Sequence, residues 1–246
     1  MTFRRNEGSG PPIVLIAQMG CGADIWKPLL PHLAGLEVVT YDRPGTGDTP
    51  PRPAPNPALP HSVFAAELAQ LLDDQHVAGA VVLVGHSFGA LIARAFVAAH
   101  PDRAAGLVIV DGSIPQFHLH PSADPKLDGD GSDATEIDVV TGQVEILSAP
   151  TPDVPALVLT RTHGRWDGEN PPPHPAVEDL WQVSQRLLAR DLRCPLLVAD
   201  NSGHQMQHEA PELVAYAIRA VHTAVRSGGP VRVDPAAVAD AGGQLD

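Results

Sequence analysis

The chain has 246 residues, 43% of them hydrophobic, which is enough for one medium-sized domain with a substantial core. Its 16 basic and 29 acidic side chains give a formal net charge of −13 when histidine is neutral. Nucleic acids and anionic membranes attract basic surfaces, so this balance disfavours both as partners. It does not discriminate among small-molecule ligands, which remain the expected partners.

The lack of a recognisable targeting signal and the small number of cysteines predict a cytoplasmic protein. No apolar run reaches the length of a transmembrane helix. Residues 1–8 contain two arginines, but no apolar signal core follows them. The two cysteines, Cys21 and Cys194, are far apart and cannot form a disulfide scaffold, so we expect free thiols.

Short β-rich runs alternate with longer helical patterns along the chain. The runs are bounded by Gly, Pro or Asp and predict buried parallel strands over 13–17, 37–41, 80–84, 106–110, 156–159 and 195–199. The apolar spacing between them predicts helices over 62–74, 87–100, 175–190 and 210–225. This alternation predicts an α/β fold with a parallel sheet of about six strands flanked by helices.

Three segments interrupt the alternation. Residues 49–60 are proline-rich and predict a loop. Residues 113–152 are acidic and rich in Pro and Gly, and they predict a short lid insertion with a possible helix over 134–147. Residues 227–246 have little to bury and predict a flexible tail after a single domain over 1–226.

A G-x-S-x-G motif follows the predicted strand over 80–84, and a predicted helix leaves it. A serine on so sharp a strand-to-helix turn projects its hydroxyl over the carboxyl edge of the sheet. Gly85 and Gly89 lack Cβ atoms, so the strand and the helix can pass close to each other. We therefore predict that Ser87 is a nucleophile. The alternative is an ordinary glycine-rich turn in which Ser87 only caps the helix.

Three segments together resemble the α/β-hydrolase family. GHSFGA at 85–90 is similar to the nucleophile elbow of its esterases, peptidases, thioesterases and perhydrolases. YDRPGTGD at 41–48 resembles its YDRxGxGxS loop, and SGHQMQHEAPEL at 202–213 resembles its catalytic-histidine loop and last helix. The resemblance covers about 12–225 apart from the insertion. It implies the α/β-hydrolase fold, here without the usual N-terminal hairpin.

The chain has twelve histidines, and His204 has the position expected of the general base. It lies between the last predicted strand and the last helix, at the same sheet edge as Ser87. His86 is expected to point away from the nucleophile, and His208 to belong to the first turn of a helix. His118 and His120 lie in the insertion and could face a substrate. No further set of ligands accompanies them, so we expect no metal and no cofactor.

Two aspartates compete for the role of the orienting acid, which in the family lies between the serine and the histidine along the chain. Asp111 ends the strand next to the elbow strand, a position from which some members of this fold take their acid. Asp167 lies in the loop that more usually supplies it, but later than the family pattern G-x-x-D. We favour Asp111. Asp200 is too close to His204 in sequence.

The resemblance implies an oxyanion hole built from two backbone amides. One belongs to Phe88, directly after the nucleophile. The other follows the first predicted strand, where the family's His-Gly pair is replaced by Ala17 and Gln18, and we assign it to Met19. The Gln18 side chain is a candidate for an additional amide donor.

These residues predict a carboxylesterase-like serine hydrolase that cleaves an ester, thioester or related acyl bond through an acyl-enzyme. The insertion is expected to cover the pocket and to favour a small or medium, partly apolar molecule. The alternative is a non-hydrolytic lyase, isomerase or cyclase, or a ligand-binding protein, on the same scaffold. Reaction of Ser87 with a fluorophosphonate distinguishes the two.

Overall fold

The computed structural model describes residues 1–53, 57–114, 126–129, 134–166 and 174–246. Their centre is an eight-stranded sheet in the order β1-β3-β2-β4-β5-β8-β9-β10. The strands of this sheet are β1 Phe3–Arg5, β2 Ser9–Ile16, β3 Leu36–Tyr41, β4 Val81–His86, β5 Ala104–Val110, β8 Ala156–Thr160, β9 Leu196–Ala199 and β10 Gly243–Leu245. The two short strands β6 Leu127–Asp128 and β7 Thr135–Glu136 pair separately. The helices are α1 His61–Asp74, α2 Phe88–Ala99, α3 Val139–Ser148, α4 Pro175–Asp191, α5 Met206–Glu209, α6 Pro211–Ser227 and α7 Pro235–Asp240.

Six strands of the sheet, from β2 to β5 together with β8 and β9, pair in parallel. This confirms the predicted parallel sheet flanked by helices. The sequence did not predict the two edge strands of this sheet. β1 pairs antiparallel with β3, and β10 pairs antiparallel with β9. The N-terminal residues therefore contribute an edge strand, although β1 and β2 do not pair with each other as a hairpin.

Both faces of the sheet are covered. Alternate residues of β2 point to opposite faces, so Val14 and Ile16 join the core beneath α1 and α2, whereas Ile13 and Leu15 join the core beneath α6. All four side chains are fully buried. Burial on both faces explains why the parallel strands appear in the sequence as continuous apolar runs rather than alternating ones.

The predicted flexible tail is instead built into the sheet. Residues 235–240 form α7, Asp234 caps that helix by accepting from the Ala236 N–H, and β10 pairs with β9. Val238 is fully buried in the core beneath α6. The packing thus continues past the domain boundary predicted at residue 226, with one buried valine and a short edge strand holding a segment of mostly small residues.

The described part of residues 113–152, the segment predicted to be an insertion, contains the β6–β7 ribbon and α3. The helix begins at Val139, after the 134 predicted, because the Asp138 side chain accepts from the Thr141 N–H and caps it at that point. α3 packs against α1 and α2. Residues 115–125 and 130–133, including His118 and His120, lie outside the described residues.

The strand order brings three segments to one edge of the sheet. β4 and β5 pair in register up to His86 and Val110, so Ser87 and Asp111 follow the ends of neighbouring strands. The loop that follows β9 carries His204. Because carboxyl ends of parallel strands meet at the same edge, residues far apart in sequence can form one site there.

Candidate active site

The predicted strand–turn–helix around Ser87 is present and has a strained backbone. Ser87 has φ 53° and ψ −118°, a backbone conformation that residues other than glycine rarely adopt. Such strain costs about 1–3 kcal/mol and persists only where the surrounding structure imposes it. Here Ser87 is held on both sides, since its N–H donates to the Val110 carbonyl at 3.2 Å and its carbonyl accepts from the Ser113 N–H at 3.0 Å.

The two glycines of the motif are required by close packing. A Cβ on Gly85 would lie 2.4 Å from the Gly89 carbonyl oxygen. A Cβ on Gly89 would lie 2.2 Å from the carbonyl oxygen of Ile16 on the neighbouring strand β2. Any larger residue at either position would push α2 away from the sheet and change the direction of the serine hydroxyl.

His204 and Asp111 form a direct hydrogen bond. His204 Nδ1 lies 2.7 Å from Asp111 Oδ2, and Asp111 is fully buried whereas about a quarter of the His204 side chain is exposed. Asp111 has a positive φ of 39°, which turns its side chain away from the path of β5. The structure thus brings together the base and the acid favoured from the sequence. Asp167, the competing acid, lies outside the described residues.

The second carboxylate oxygen of Asp111 is surrounded by donors. Oδ1 accepts from Trp181 Nε1 at 2.8 Å, from Thr160 Oγ at 3.1 Å and from the Arg161 N–H at 3.3 Å. Burial by itself raises the pKa of the Asp111 carboxyl, but the hydrogen bond and charge of His204 and the nearby Arg161 cation hold that pKa below its ordinary value. Asp111 is therefore an oriented anion. Sequence reasoning missed Trp181, which reaches the site from α4.

His86 supports the histidine loop from behind. Its Nε2 donates to the His204 carbonyl at 2.8 Å, and the two ring centres are 4.8 Å apart. Burial lowers the pKa of His86 to about 3, so its ring is neutral. This agrees with a structural rather than a catalytic role. His208 is exposed in α5.

A buried ion pair holds the turn that contains Met19. Arg43 Nη1 and Nη2 donate to the carbonyls of Ala17 and Gln18 at 2.9 and 2.7 Å. The same guanidinium makes two 2.7 Å bonds to Asp128, a β6 residue that also accepts from the Gly20 N–H at 2.8 Å. Arg43 and Asp128 are both almost completely buried. Sequence reasoning missed Asp128, because nothing in its local pattern distinguishes it.

This pairing determines which way the backbone amides of the turn face. In a trans peptide the C=O and the following N–H point in opposite directions. The Gln18 carbonyl points to Arg43, so the Met19 N–H points away from it, and that N–H has no hydrogen-bond partner within the described part of the chain. It is therefore available to an external acceptor, as an oxyanion donor must be.

The Gln18 side chain does not serve as the free amide donor considered from the sequence. Its Nε2 lies 3.2 Å from Cys21 Sγ, and its Oε1 accepts from Gln205 Nε2 at 3.0 Å. Gln18 thus connects the Met19 turn to the residue that directly follows His204. This contact ties together two of the segments that form the site.

Ser113 is a further hydroxyl near the nucleophile that sequence reasoning did not single out. Its Oγ lies 3.4 Å from Ser87 Oγ, and its side chain is buried. A cavity of about 830 Å³ opens elsewhere, between the C-terminal ends of α4 and α6, and contains none of the residues discussed above. Geometry and chemistry, rather than cavity volume, therefore mark the candidate site.

Comparisons with known proteins identify the family of the chain. Residues 11–135 match the family model described as alpha/beta hydrolase fold. The chain belongs to this family. It is 37% identical over 111 residues to a putative carbamate hydrolase of Azorhizobium caulinodans, covering 43% of this chain and 39% of the relative. It is 38% identical over 112 residues to the pimeloyl-[acyl-carrier protein] methyl ester esterase of Aromatoleum aromaticum, covering 45% and 40%.

These two alignments span about two-fifths of the length of each relative. The similarity of solved structures extends over nearly all of the chain. A thermophilic esterase from Thermogutta terrifontis superposes with a TM-score of 0.62 at 21% identity, covering 91% of this chain and 93% of the esterase. This supports the α/β-hydrolase fold for about nine-tenths of the chain.

Two further properties concern the described residues as a whole. They contain no group of three or more His, Cys, Asp or Glu side chains arranged to hold a metal ion. No helix among them combines the length and the apolar character needed to cross a bilayer.

Proposed function

We propose that this α/β hydrolase is a serine hydrolase that cleaves an ester, thioester or related acyl bond through an acyl-enzyme. One observation carries the proposal: the 2.7 Å hydrogen bond between His204 Nδ1 and a buried, ionised Asp111, at the edge where the elbow presents Ser87. A histidine oriented in this way at the same sheet edge as a partly exposed serine hydroxyl is the arrangement that nucleophilic acyl transfer requires.

The hydrogen bond determines which ring nitrogen acts as the base. A carboxylate can only accept, so the proton of neutral His204 resides on Nδ1, and Nε2 keeps its lone pair. Nε2 takes the Ser87 proton as Oγ attacks the carbonyl carbon, and it returns that proton to the leaving alcohol, thiol or amine. Water then repeats the sequence on the acyl-enzyme, which releases the acid and restores Ser87.

The negative charge that develops on the carbonyl oxygen needs donors. We assign these to the N–H groups of Phe88 and Met19. Phe88 begins α2, so the positive end of the helix dipole adds to its N–H. The Arg43 contacts that turn the Met19 N–H outward support the second donor. Both donors belong to fixed backbone and require little reorganisation during the reaction.

The proposed substrate is a small or medium, partly apolar molecule. Relatives that are named as a carbamate hydrolase and a methyl ester esterase support a carbonyl bonded to nitrogen or oxygen as the reacting group. We assign the insertion over 113–152 to the cover of the pocket, because α3 packs against α1 and α2 and the β6–β7 ribbon reaches the Met19 turn through Asp128. In this assignment the insertion restricts the size of the acyl group.

A fluorophosphonate probe tests the roles of Ser87 and Asp111. Wild-type protein should be labelled at Ser87, and Ser87→Ala should lose both labelling and turnover of a chromogenic ester, by about 10⁴-fold or more in kcat. Asp111→Asn should lower kcat by a similar order, because the wrong tautomer of His204 cannot accept the serine proton. Asp167→Asn removes the same charge from the competing position and is the matched control, with an expected loss below about tenfold.

Two results would contradict the proposal. Folded wild-type protein that is not labelled would favour a ligand-binding or non-hydrolytic protein on this fold. A severe loss in Asp167→Asn with little effect of Asp111→Asn would transfer the acid to the loop after β8. Circular dichroism and melting of every variant establish that the comparison is made on folded protein.

A further inference from the structure

A buried cation lies beside the Asp111–His204 pair. The Arg161 guanidinium is fully buried, with Cζ 3.9 Å from the centre of the Trp166 ring and 5.3 Å from that of Trp181. Its Nη1 is 3.8 Å from Asp111 Oδ1, beyond hydrogen-bond distance but close enough for a strong interaction between charges in a buried site. A cation in this environment is costly unless an anion compensates it.

Glu178 on α4 is the compensating anion. Its Oε2 accepts from Arg161 Nη2 at 2.5 Å, and its Oε1 accepts from the Gly164 N–H at 3.0 Å and from Gln182 Nε2 at 2.9 Å. Glu178 is itself buried. Of the three guanidinium nitrogens, Nη2 is thus bound to Glu178, Nε donates to the Arg165 carbonyl at 3.2 Å, and Nη1 faces Asp111.

Asp111 does not need the guanidinium to satisfy its hydrogen bonds. Its Oδ1 accepts from Trp181 Nε1, Thr160 Oγ and the Arg161 backbone N–H, all of which are neutral donors. The Arg161 side chain therefore acts on Asp111 by charge, without a direct hydrogen bond. Glu178 and Trp181 stand three residues apart on α4, so one face of this helix supplies both the indole donor and the compensating anion.

We propose that Arg161 and Glu178 are positioning residues of the site. The charges of this buried pair adjust how strongly the negative charge of Asp111 acts on the His204 ring. The pair thereby sets the pH above which His204 is unprotonated and can act as a base. The proposal rests on the proposed function, in which His204 is that base. Without Glu178, the positive charge of Arg161 would offset the negative charge of the ionised Asp111 and favour the unprotonated form of the His204 ring. Glu178 prevents this by holding the guanidinium at 3.8 Å from the aspartate.

Other ionisable groups also face His204 or its loop. His86 packs against the ring from β4 and is neutral because burial lowers its pKa to about 3. Glu209 from α5 accepts from the Gly203 N–H at 3.0 Å and pairs with Arg165 at 3.0 Å on the more exposed side, where solvent screens charge. His208 of α5 is exposed. The Arg161–Glu178 pair differs from these groups in being both charged and buried next to Asp111.

The test follows the titration of His204 by NMR, using the ring Cε1–H signal assigned by its loss in His204→Gln. Glu178→Gln should lower the titration midpoint of His204 by about one pH unit, since an uncompensated buried cation opposes protonation. The acid limb of kcat/KM should move in the same direction. Asp73→Asn, which removes one anion from an exposed pair with Arg103, is the control for net charge and should leave the midpoint unchanged.

A second variant keeps the test decisive if Glu178→Gln fails to fold, as loss of one partner of a buried pair can cause. Arg161→Met combined with Glu178→Met removes both charges. Because Arg161 is the nearer charge to Asp111, the double variant should raise the midpoint above that of wild type. A purely structural pair would change stability and leave the midpoint where it is. Midpoints within about 0.2 units of wild type in the variants that fold would overturn the proposal.

The measurement needs no turnover, so it separates this proposal from the proposed function. Loss of Ser87 labelling bears on the hydrolase mechanism alone. A His204 midpoint that does not respond to either variant bears on the Arg161–Glu178 pair alone.

Discussion

His86 illustrates how a single buried residue can link the site to the stability of the chain. The residue is fully buried at the end of β4, and its Nε2 bond to the His204 carbonyl holds the histidine loop against the sheet. Burial lowers the pKa of His86 to about 3, well below the value of about 6.5 for a histidine in water. The folded state therefore excludes a proton that the unfolded state binds as the pH falls.

The sign of the resulting pH dependence follows from this difference. Between about pH 6.5 and pH 3 the unfolded state carries more protons on His86, so the free energy of unfolding falls on acidification, by about 1.4 kcal/mol per pH unit from this residue. Urea unfolding of wild type at pH 7, 6, 5 and 4 should show the decline. In His86→Gln the slope should be smaller, although stability at pH 7 is also lower. Val84→Ala, a buried change on the same strand without a titratable group, is the control and should keep the wild-type slope.

Among individual residues, the sequence predicted those that follow a strand, because their position along the chain determines their place in the fold. Ser87, Asp111 and His204 each follow the end of a strand, so the strand order alone brings them to one edge. Trp181 could not be predicted in this way. Its indole reaches Asp111 across 70 positions of sequence from the middle of α4, where an aromatic residue looks like any other core residue.

Among the elements, the short β6–β7 ribbon stabilises the turn that contains Met19. It contributes Asp128, which bonds Arg43 and the Gly20 N–H and so fixes the turn that offers the Met19 N–H. The end of the ribbon also packs closely against the loop after β3. A Cβ on Gly129 would lie only 2.7 Å from the Gly45 carbonyl oxygen. The ribbon and the Met19 turn therefore form one packed unit.

Asp128→Asn tests this link. The amide keeps the shape of the side chain but removes the charge that holds Arg43, so the turn should lose its fixed orientation. Because oxyanion donors act mainly in the transition state, we expect kcat to fall by about 10- to 100-fold and KM to change by less than about threefold. Steady-state kinetics on a chromogenic ester, well below the melting temperature of the variant, provide the measurement.

Glu136→Gln is the matched control, since this exposed carboxylate lies on β7 within the same ribbon. It should retain wild-type kcat. A rise in KM alone for Asp128→Asn, or equal effects of the two changes, would mean that the ribbon acts on substrate access and not on the Met19 turn.

The elements themselves differ in how well sequence patterns predict them. The six parallel strands were found because burial on both faces demands continuous β-branched runs, which few other structures require. β6 and β7 have two residues each, too short for any periodicity to emerge. β1 and β10 are edge strands of three residues, exposed on most of their length, and their composition resembles that of a loop.

For the molecule as a whole, the C-terminal segment closes one end of the sheet. β10 covers the free edge of β9, and the Asp200 N–H donates to the Gly242 carbonyl at 3.0 Å, four residues before His204. The Asp234 N–H donates to Tyr216 Oη at 2.8 Å and anchors the start of α7 on α6. An uncovered β9 would present unpaired backbone groups at the edge of the sheet, which favours association between chains.

Truncation after Gly229 therefore distinguishes a built-in segment from the loose tail that composition predicts. The segment buries Val238 completely and adds a strand to the ladder, together worth about 2–3 kcal/mol. For a chain of this size each kcal/mol corresponds to about 2–4 °C, so the melting temperature should fall by about 5–10 °C. Val238→Ala should cause part of this loss, whereas Ala239→Ser, an exposed change on the same helix, should cause almost none. If truncated and full-length chains melted at the same temperature, the packing of α7 and β10 would contribute nothing to stability, and the domain would end near residue 226 after all.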